Sequence, residues 1–93
     1  MSTALERRIE RRIANCEIIW GKRVYDFEVE TDDHYYYHIL VREDCGTYWG
    51  QNFAMTDMYI GEERAWRELD ISLQKDADDV LREEREAAAA AKA

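Results

Sequence analysis

The three strand-like segments in the middle of this chain are joined by connections that are too short for anything but antiparallel pairing. They cover residues 24–30, 34–42 and 47–55, so only three or four residues separate each segment from the next. Parallel strands need a crossover of a dozen or more residues, whereas antiparallel strands can be joined by a tight turn. We therefore predict an antiparallel meander of three strands, with turns at residues 31–33 and 43–46.

The first segment alternates as a half-buried strand does. Its apolar face carries Tyr25, Phe27 and Val29, and its acidic face carries Asp26, Glu28 and Glu30. Residues 16–23, which precede it, are also strand-like in composition, because isoleucine, tryptophan and valine favour extended structure. We expect the acidic face of this strand to lie in water.

Two histidines and two acids near the first turn raise the question of a metal site. On a strand over residues 34–42, His34, Tyr36 and His38 share one face, and the two histidines are about 13 Å apart. Two ligands of one zinc ion must each lie about 2 Å from it, so this pair cannot chelate one ion. Asp32 and Asp33 have a simpler role, because Asp bonds its own backbone in tight turns. We therefore predict a turn and a strand here, and no metal site.

A capping box marks the start of the first helix, with Thr3 followed by Glu6. We predict a helix over about residues 4–15 with one apolar stripe. The stripe consists of Leu5, Ile9, Ile13 and Cys16, and the other faces carry Arg7, Arg8, Arg11 and Arg12. Two interpretations of the arginines remain open. They bind phosphate or an acidic partner, or they form a solvated face that pairs with the protein's own acids.

Apolar residues recur at helical spacing from Glu62 onwards, and Glu62 and Glu63 suit the positive end of a helix dipole. Residues 56–61 are predicted as a loop, and the Ala-rich tail of residues 87–93 as a fraying extension of the helix. The fold class is therefore α+β, a two-layer α-β-β-β-α domain in which the three-stranded antiparallel meander packs against an N-terminal helix and a long C-terminal helix. We expect one domain over residues 1–93, with an ordered core over about residues 4–86.

Charge is distributed unevenly along the chain, which has a formal net charge of −8. Residues 1–23 carry six basic and three acidic side chains, whereas residues 24–93 carry seven basic and eighteen acidic ones. An acidic body repels phosphate backbones and is attracted to basic surfaces, such as those of proteins that handle nucleic acid. The alternative is that the acidic charge only keeps a small protein in solution.

The sequence has no stretch of 18 apolar residues and no apolar signal-peptide core, so we expect a cytoplasmic protein without membrane contact. Cys16 and Cys45 are then expected as free thiols. Phosphate-loop, dinucleotide-binding, serine-hydrolase and zinc-protease motifs are all missing. A thiol–imidazole pair of Cys45 with His34 or His38 would need the hairpin to bring them together. We expect neither an enzyme nor a cofactor-binding protein.

Residues 25–81 resemble double-stranded-RNA-binding domains, through "DDH" before a strand, "GTYWG" in the next hairpin and "GEERAW" at the start of a helix. In that family paired lysines open the last helix and bind phosphate, whereas Glu62 and Glu63 stand at those positions here. The resemblance therefore implies the fold without the chemistry for RNA. "CGTYWGQNF" and "GEERAW" also resemble HicB-type antitoxins, although the Pro-containing loop of that family is missing. This second resemblance implies a small inhibitor.

From these observations we expect a non-enzymatic protein-binding or regulatory domain. Its sharper form is an acidic inhibitor or antitoxin-like protein that mimics nucleic acid on a basic surface of a partner protein. The expected partner-binding residues are Asp26, Glu28, Glu30, Asp32, Asp33, Tyr36, Glu62 and Glu63. Two alternatives remain open. One is a nucleic-acid-binding module that uses the N-terminal arginines, and the other is a domain that forms homo-oligomers through an edge strand of its sheet.

Overall fold

The computed structural model describes residues 3–92, and residue 93, the end of the predicted tail, lies outside them. The helices are α1 (Ala4–Trp20) and α2 (Glu62–Ala91). The strands are β1 (Tyr25–Glu30), β2 (Tyr36–Asp44), β3 (Trp49–Met55) and β4 (Tyr59–Ile60). Residues of both helices share one core with the sheet, so the predicted α+β architecture is confirmed. Within the described residues, neither helix is apolar enough along its length to cross a membrane.

β2 is the central strand of an antiparallel sheet. β1 pairs with it in an unbroken register from Tyr25 opposite Glu43 to Glu30 opposite His38. On the other side, β3 pairs with residues 40–44 of β2, and β4 pairs with residues 36–37. β4 falls in the segment predicted as a loop, and that prediction is wrong. A strand of two residues is too short to show an alternating pattern.

The core lies between the sheet and α2. Ile39 and Val41 of β2 have no exposed surface, and they pack against Leu69 and Leu73 of α2, which are 2% exposed. Cys16 of α1 completes this cluster and is also fully buried. The period-2 pattern of β2 and the helical period of α2 each turn one apolar face inward, as the sequence predicts.

α1 continues five residues beyond its predicted end and includes residues 16–20, which were expected to be strand-like. Ile19 and Trp20 pack against the core, and Trp20 stacks on Phe53 of β3 with ring centroids 5.1 Å apart. This burial outweighs their local preference for extended structure. The helix ends at Gly21, whose φ of 94° favours glycine and whose N–H donates to the Glu17 carbonyl.

The turn between β1 and β2 is longer than predicted, so β2 begins at Tyr36 and not at residue 34. The Asp33 carboxylate accepts hydrogen bonds from the N–H groups of Tyr35 and Tyr36 at 2.9 and 3.0 Å, which confirms its turn role. His34 has a φ of 58° within this turn. It therefore does not share a strand face with Tyr36 and His38.

Candidate functional site

A groove of about 860 Å³ lies between α1 and α2. 

A second groove, of about 550 Å³, lies between α1 and the outer edge of β1, and we call it the edge groove. Its apolar lining consists of Leu5, Ile9 and Ile13 of α1, Tyr25 and Phe27 of β1, and Trp66 of α2. Asp26, Glu62 and Glu63 line it as well, so three of the predicted partner-binding acids meet here.

Three of the four residues in the apolar stripe of α1 face this groove and not the core. Leu5, Ile9 and Ile13 are 63%, 39% and 37% exposed, so of the predicted stripe only Cys16 is buried. The predicted stripe therefore exists on the helix, but three of its four residues lie at the surface. The residues that α1 buries instead are Arg12 and Asn15.

Polar pairs with α2 explain why α1 is rotated in this way. The Arg12 guanidinium donates two hydrogen bonds to the Asp70 carboxylate, at 2.6 and 3.0 Å, and lies 4.3 Å from the centre of the Trp66 ring. The Asn15 amide donates to the Gln74 side chain at 3.2 Å. Because these partners satisfy the polar face of α1 against α2, the stripe is left on the β1 side.

β1 presents unpaired backbone groups along the groove. The Asp44 N–H donates to the Val24 carbonyl at 2.8 Å, so the alternation of an antiparallel pair directs the backbone groups of residues 26, 28 and 30 toward β2. The N–H and C=O groups of Tyr25, Phe27 and Val29 then point away from the sheet. Within residues 3–92, no backbone hydrogen bond from outside the sheet reaches these three residues.

A row of acids lies on the opposite, open face of β1. The Arg42 guanidinium contacts the Asp26 and Glu28 carboxylates at 3.0 and 2.9 Å, and lies 3.6 Å from the centre of the Trp49 ring. The Glu30 carboxylate is 3.6 Å from the His38 imidazole. Three carboxylates thus share one guanidinium and one imidazole, so the row keeps a net negative charge. We call Asp26, Glu28 and Glu30 the acid row.

The remaining predicted partner-binding residues are spread over other parts of the surface. Asp32, Asp33 and Tyr36 belong to the β1–β2 turn and the start of β2, and all three are exposed. Hydrogen bonds from the backbone of Tyr36 and Tyr35 hold the pKa of Asp33 below its usual value. Glu63 is 3.4 Å from Arg8. The eight predicted residues therefore do not form one continuous acidic surface.

The four N-terminal arginines also divide between different surroundings. Arg12 is 7% exposed and bound to Asp70, and Arg8 contacts both Glu63 and Asp70. Arg7 is exposed, and Arg11 lines the groove between α1 and α2. Arg67 and Lys75 line that groove too. Neither they nor Arg11 forms an ion pair with another described residue.

The thiols are not arranged for nucleophilic chemistry. The Cys45 thiol donates to the Glu43 carboxylate at 3.2 Å, and this hydrogen bond raises the pKa of Cys45, whereas a nucleophile needs a lowered one. His38 lies seven residues back along β2, roughly 23 Å away. Burial raises the pKa of Cys16 to about 12. No group of three or more potential metal ligands lies together in the described part of the chain.

The sequence indicates the acid row, but it does not indicate that Trp66 lines the groove or that Leu5, Ile9 and Ile13 lie at the surface. A signal was present in α2, where Asp70 and Gln74 are four residues apart and match Arg12 and Asn15 on α1. Comparison with family models, with curated proteins and with solved structures finds no match.

Proposed function

We propose that this protein is a non-enzymatic, cytoplasmic protein-binding domain that docks its partner in the edge groove. The observation that carries the proposal is the row of Leu5, Ile9 and Ile13, exposed beside an unpaired strand edge. Single exposed apolar residues are normal, but a contiguous apolar row that borders a groove is typical of an interaction surface.

The size of the apolar row supports a binding role. Complete burial of a Leu or Ile side chain stabilises by about 1.5–3 kcal/mol. Scaled by the exposed fractions of the three side chains, their coverage by a partner would contribute roughly 3 kcal/mol. That corresponds to roughly a hundredfold in affinity.

The charges at the rim of the groove indicate the kind of partner. Asp26, Glu62 and Glu63 line the groove, which favours a partner with basic groups beside its apolar ones. The broader hypothesis of a nucleic-acid mimic needs its acids on one surface. The separation of the turn acids from Glu62 and Glu63 gives that version less support than docking in the groove.

A comparative affinity purification from the source cells tests the proposal. The bait is the full chain, as wild type and as the double variant Ile9→Glu with Ile13→Glu. The matched control is Leu81→Glu with Ala88→Glu, which makes the same change of charge on α2, where residues 81–92 are all exposed. Circular dichroism checks that each bait is folded.

We expect one protein to be recovered at similar levels with the wild type and the control, and to be lost with the groove variant. Quantitative mass spectrometry measures both. Equal recovery with all three baits would contradict the edge groove as the docking surface. Recovery of nucleic acid without a protein would overturn the protein-binding role itself.

A second candidate function is anion or nucleic-acid binding in the groove between α1 and α2. The observation that favours it is the set of three cations, Arg11, Arg67 and Lys75, which have no ion pair among the described residues. Binding of a fluorescent single-stranded RNA should then fall steeply with added salt and should weaken in the Arg11→Ala, Arg67→Ala double variant. No detectable binding at low salt would eliminate this candidate.

A further inference from the structure

We infer that the occupant of the edge groove is an extended segment of a partner protein, which pairs with β1 as an added strand and alternates apolar with basic side chains. The inference rests on the proposed function, because it identifies the ligand of the same groove. It adds a binding mode, a backbone register and a sequence pattern that the proposed function does not specify.

The outer side of β1 carries backbone groups that can form hydrogen bonds with another strand. Tyr25, Phe27 and Val29 direct their N–H and C=O groups outward, and an antiparallel strand could form two hydrogen bonds with each of them. The register of β1 against β2 has no shift over all six residues, so its outer edge is regular as well. Strand addition at a regular edge gives affinity through the main chain, and the side chains give specificity.

The position of α1 gives the added strand a helix to pack against. Neighbouring strands lie about 4.8 Å apart, so the added strand would lie just outside β1. The edge groove occupies that position, because it lies between the β1 residues Tyr25 and Phe27 and the exposed stripe of α1. Leu5, Ile9 and Ile13 are exposed here and would cover a strand that a partner supplies.

The two faces of β1 determine the pattern of the partner's side chains. Residues opposite Tyr25, Phe27 and Val29 would point toward the helices and meet the α1 stripe, so they must be apolar. Residues opposite the acid row would point to the open face, beside carboxylates that are 33–47% exposed. Opposite charges that face each other across two strands stabilise the pair, so these residues must be basic.

The charge of the acid row disfavours a second copy of this chain as the occupant. Pairing of β1 with β1 of another copy would place acid rows side by side, and like charges directly opposite each other are destabilising. β3, the other long edge strand, contains no lysine or arginine. The homo-oligomer therefore lacks the basic residues that the acid row requires.

Amide hydrogen exchange followed by NMR tests the inference, because the amides of β1 that face β2 serve as an internal reference for those that face outward. In the free protein, the amides of Tyr25, Phe27 and Val29 should exchange fast, and those of residues 26, 28 and 30 should be protected by β2. The probe is a capped peptide of about seven residues that alternates lysine and valine. Its addition should slow exchange at the three outward amides and leave the three inward amides unchanged.

Three control peptides separate the parts of the inference. A peptide with glutamate in place of lysine should bind at least about tenfold more weakly. A peptide with the same composition in scrambled order should lose the apolar face and also bind at least about tenfold more weakly. A peptide methylated on the backbone nitrogens that face β1 should give no protection. Fluorescence anisotropy of labelled peptides measures the affinities.

The outcomes distinguish this inference from the proposed function. If the lysine–valine peptide does not protect the three outward amides at saturating concentration, strand addition is overturned. If the glutamate peptide binds equally well, the basic part of the pattern is overturned. Loss of the cellular partner in the Ile9→Glu, Ile13→Glu variant would in both cases leave the proposed function standing. Retention of that partner would contradict the proposed function even if the peptide binds.

Discussion

The two edges of the sheet differ in how they limit pairing with other strands. The β3 and β4 edge is broken, because β3 shifts register twice against β2 and β4 contributes only two residues. The β1 edge is regular over its whole length. Bulges and short strands prevent edge-to-edge association in many proteins, and charged side chains can serve instead. Irregular geometry thus limits strand pairing at the β3 and β4 edge. At the β1 edge, the charge of the acid row limits which strands can pair.

Close packing at Gly50 accompanies the irregularity of the β3 edge. A Cβ atom at this position would lie 2.7 Å from both the Cys45 thiol sulfur and a Glu43 carboxylate oxygen. Any other residue at this position would require the Cys45 and Glu43 side chains to move. β1 contains no glycine, and its register against β2 has no shift.

We expect the largest loss of stability from Arg12→Ala, because Arg12 fixes the position of α1, the helix beside the β1 edge. The change removes two hydrogen bonds to Asp70 and leaves its partly buried carboxylate with Arg8 as the one remaining ion-pair partner among residues 3–92. We expect the free energy of unfolding to fall by about 3 kcal/mol. Urea denaturation measures it, and Arg11→Ala on the exposed side of α1 is the control, with a change within about 0.5 kcal/mol. Equal effects of the two changes would contradict the structural role of Arg12.

A smaller loss of stability is expected from Arg42→Met. This change removes the cation that contacts both β1 and β3 across the open face of the sheet. Asp26 and Glu28 lose their shared guanidinium, and Trp49 on β3 loses the cation above its ring. Thermal unfolding should show a loss of about 1.5 kcal/mol near neutral pH. The loss should shrink at low pH, where protonation removes the repulsion between the two carboxyl groups. A loss that is independent of pH would rule out that repulsion as its cause.

Thr56→Val tests the junction of β3 and β4. The Thr56 hydroxyl accepts the N–H of Ile39 at 2.9 Å, and its own N–H donates to the Ile39 carbonyl at 3.0 Å. Valine keeps the shape but loses the acceptor, so the unfolding free energy should fall by about 1 kcal/mol. Hydrogen exchange should accelerate at the Ile39 amide and not at the amides of β1. Faster exchange at both edges would show that the two edges are coupled.

The smallest effect is expected at Asp33, in the turn that leads from β1 to β2. Hydrogen bonds from Tyr36 and Tyr35 lower the pKa of its carboxyl group below the ordinary value of 3.8. A lowered folded-state pKa contributes stability that is complete above the unfolded value and is lost as pH falls through the folded value. Asp33→Asn should therefore lower the free energy of unfolding near neutral pH, where the charged carboxylate contributes fully, and flatten its dependence on pH in the acidic range. An unchanged acidic profile would remove Asp33 as a cause.

The sheet could be predicted from the sequence because its signals are local. The alternation of residues 24–30 and the short connections determine strand pairing without reference to the rest of the chain. α1 is different, because its buried face depends on Arg12 meeting Asp70, 58 residues away. A helical wheel of α1 shows an apolar stripe but does not show which element will cover it.

The candidate site could be predicted only in part, for the same reason. Asp26, Glu28 and Glu30 were identified as a solvent-facing row from alternation alone. Their position at an edge agrees with the predicted meander, in which β1 is an outer strand. The position of the α1 stripe beside that edge was not predicted, because it depends on the pairing of Arg12 and Asn15 with α2.

Trp66 is an intrinsic fluorescence probe of the edge groove. Its indole ring lines the groove and lies beneath the Arg12 guanidinium, whereas Trp20 stacks on Phe53 and Trp49 lies beneath Arg42. A strand that enters the groove would exclude water from one side of this ring and shift its fluorescence to shorter wavelengths. With Trp49 replaced by phenylalanine, occupancy of the groove could be followed in solution without any label.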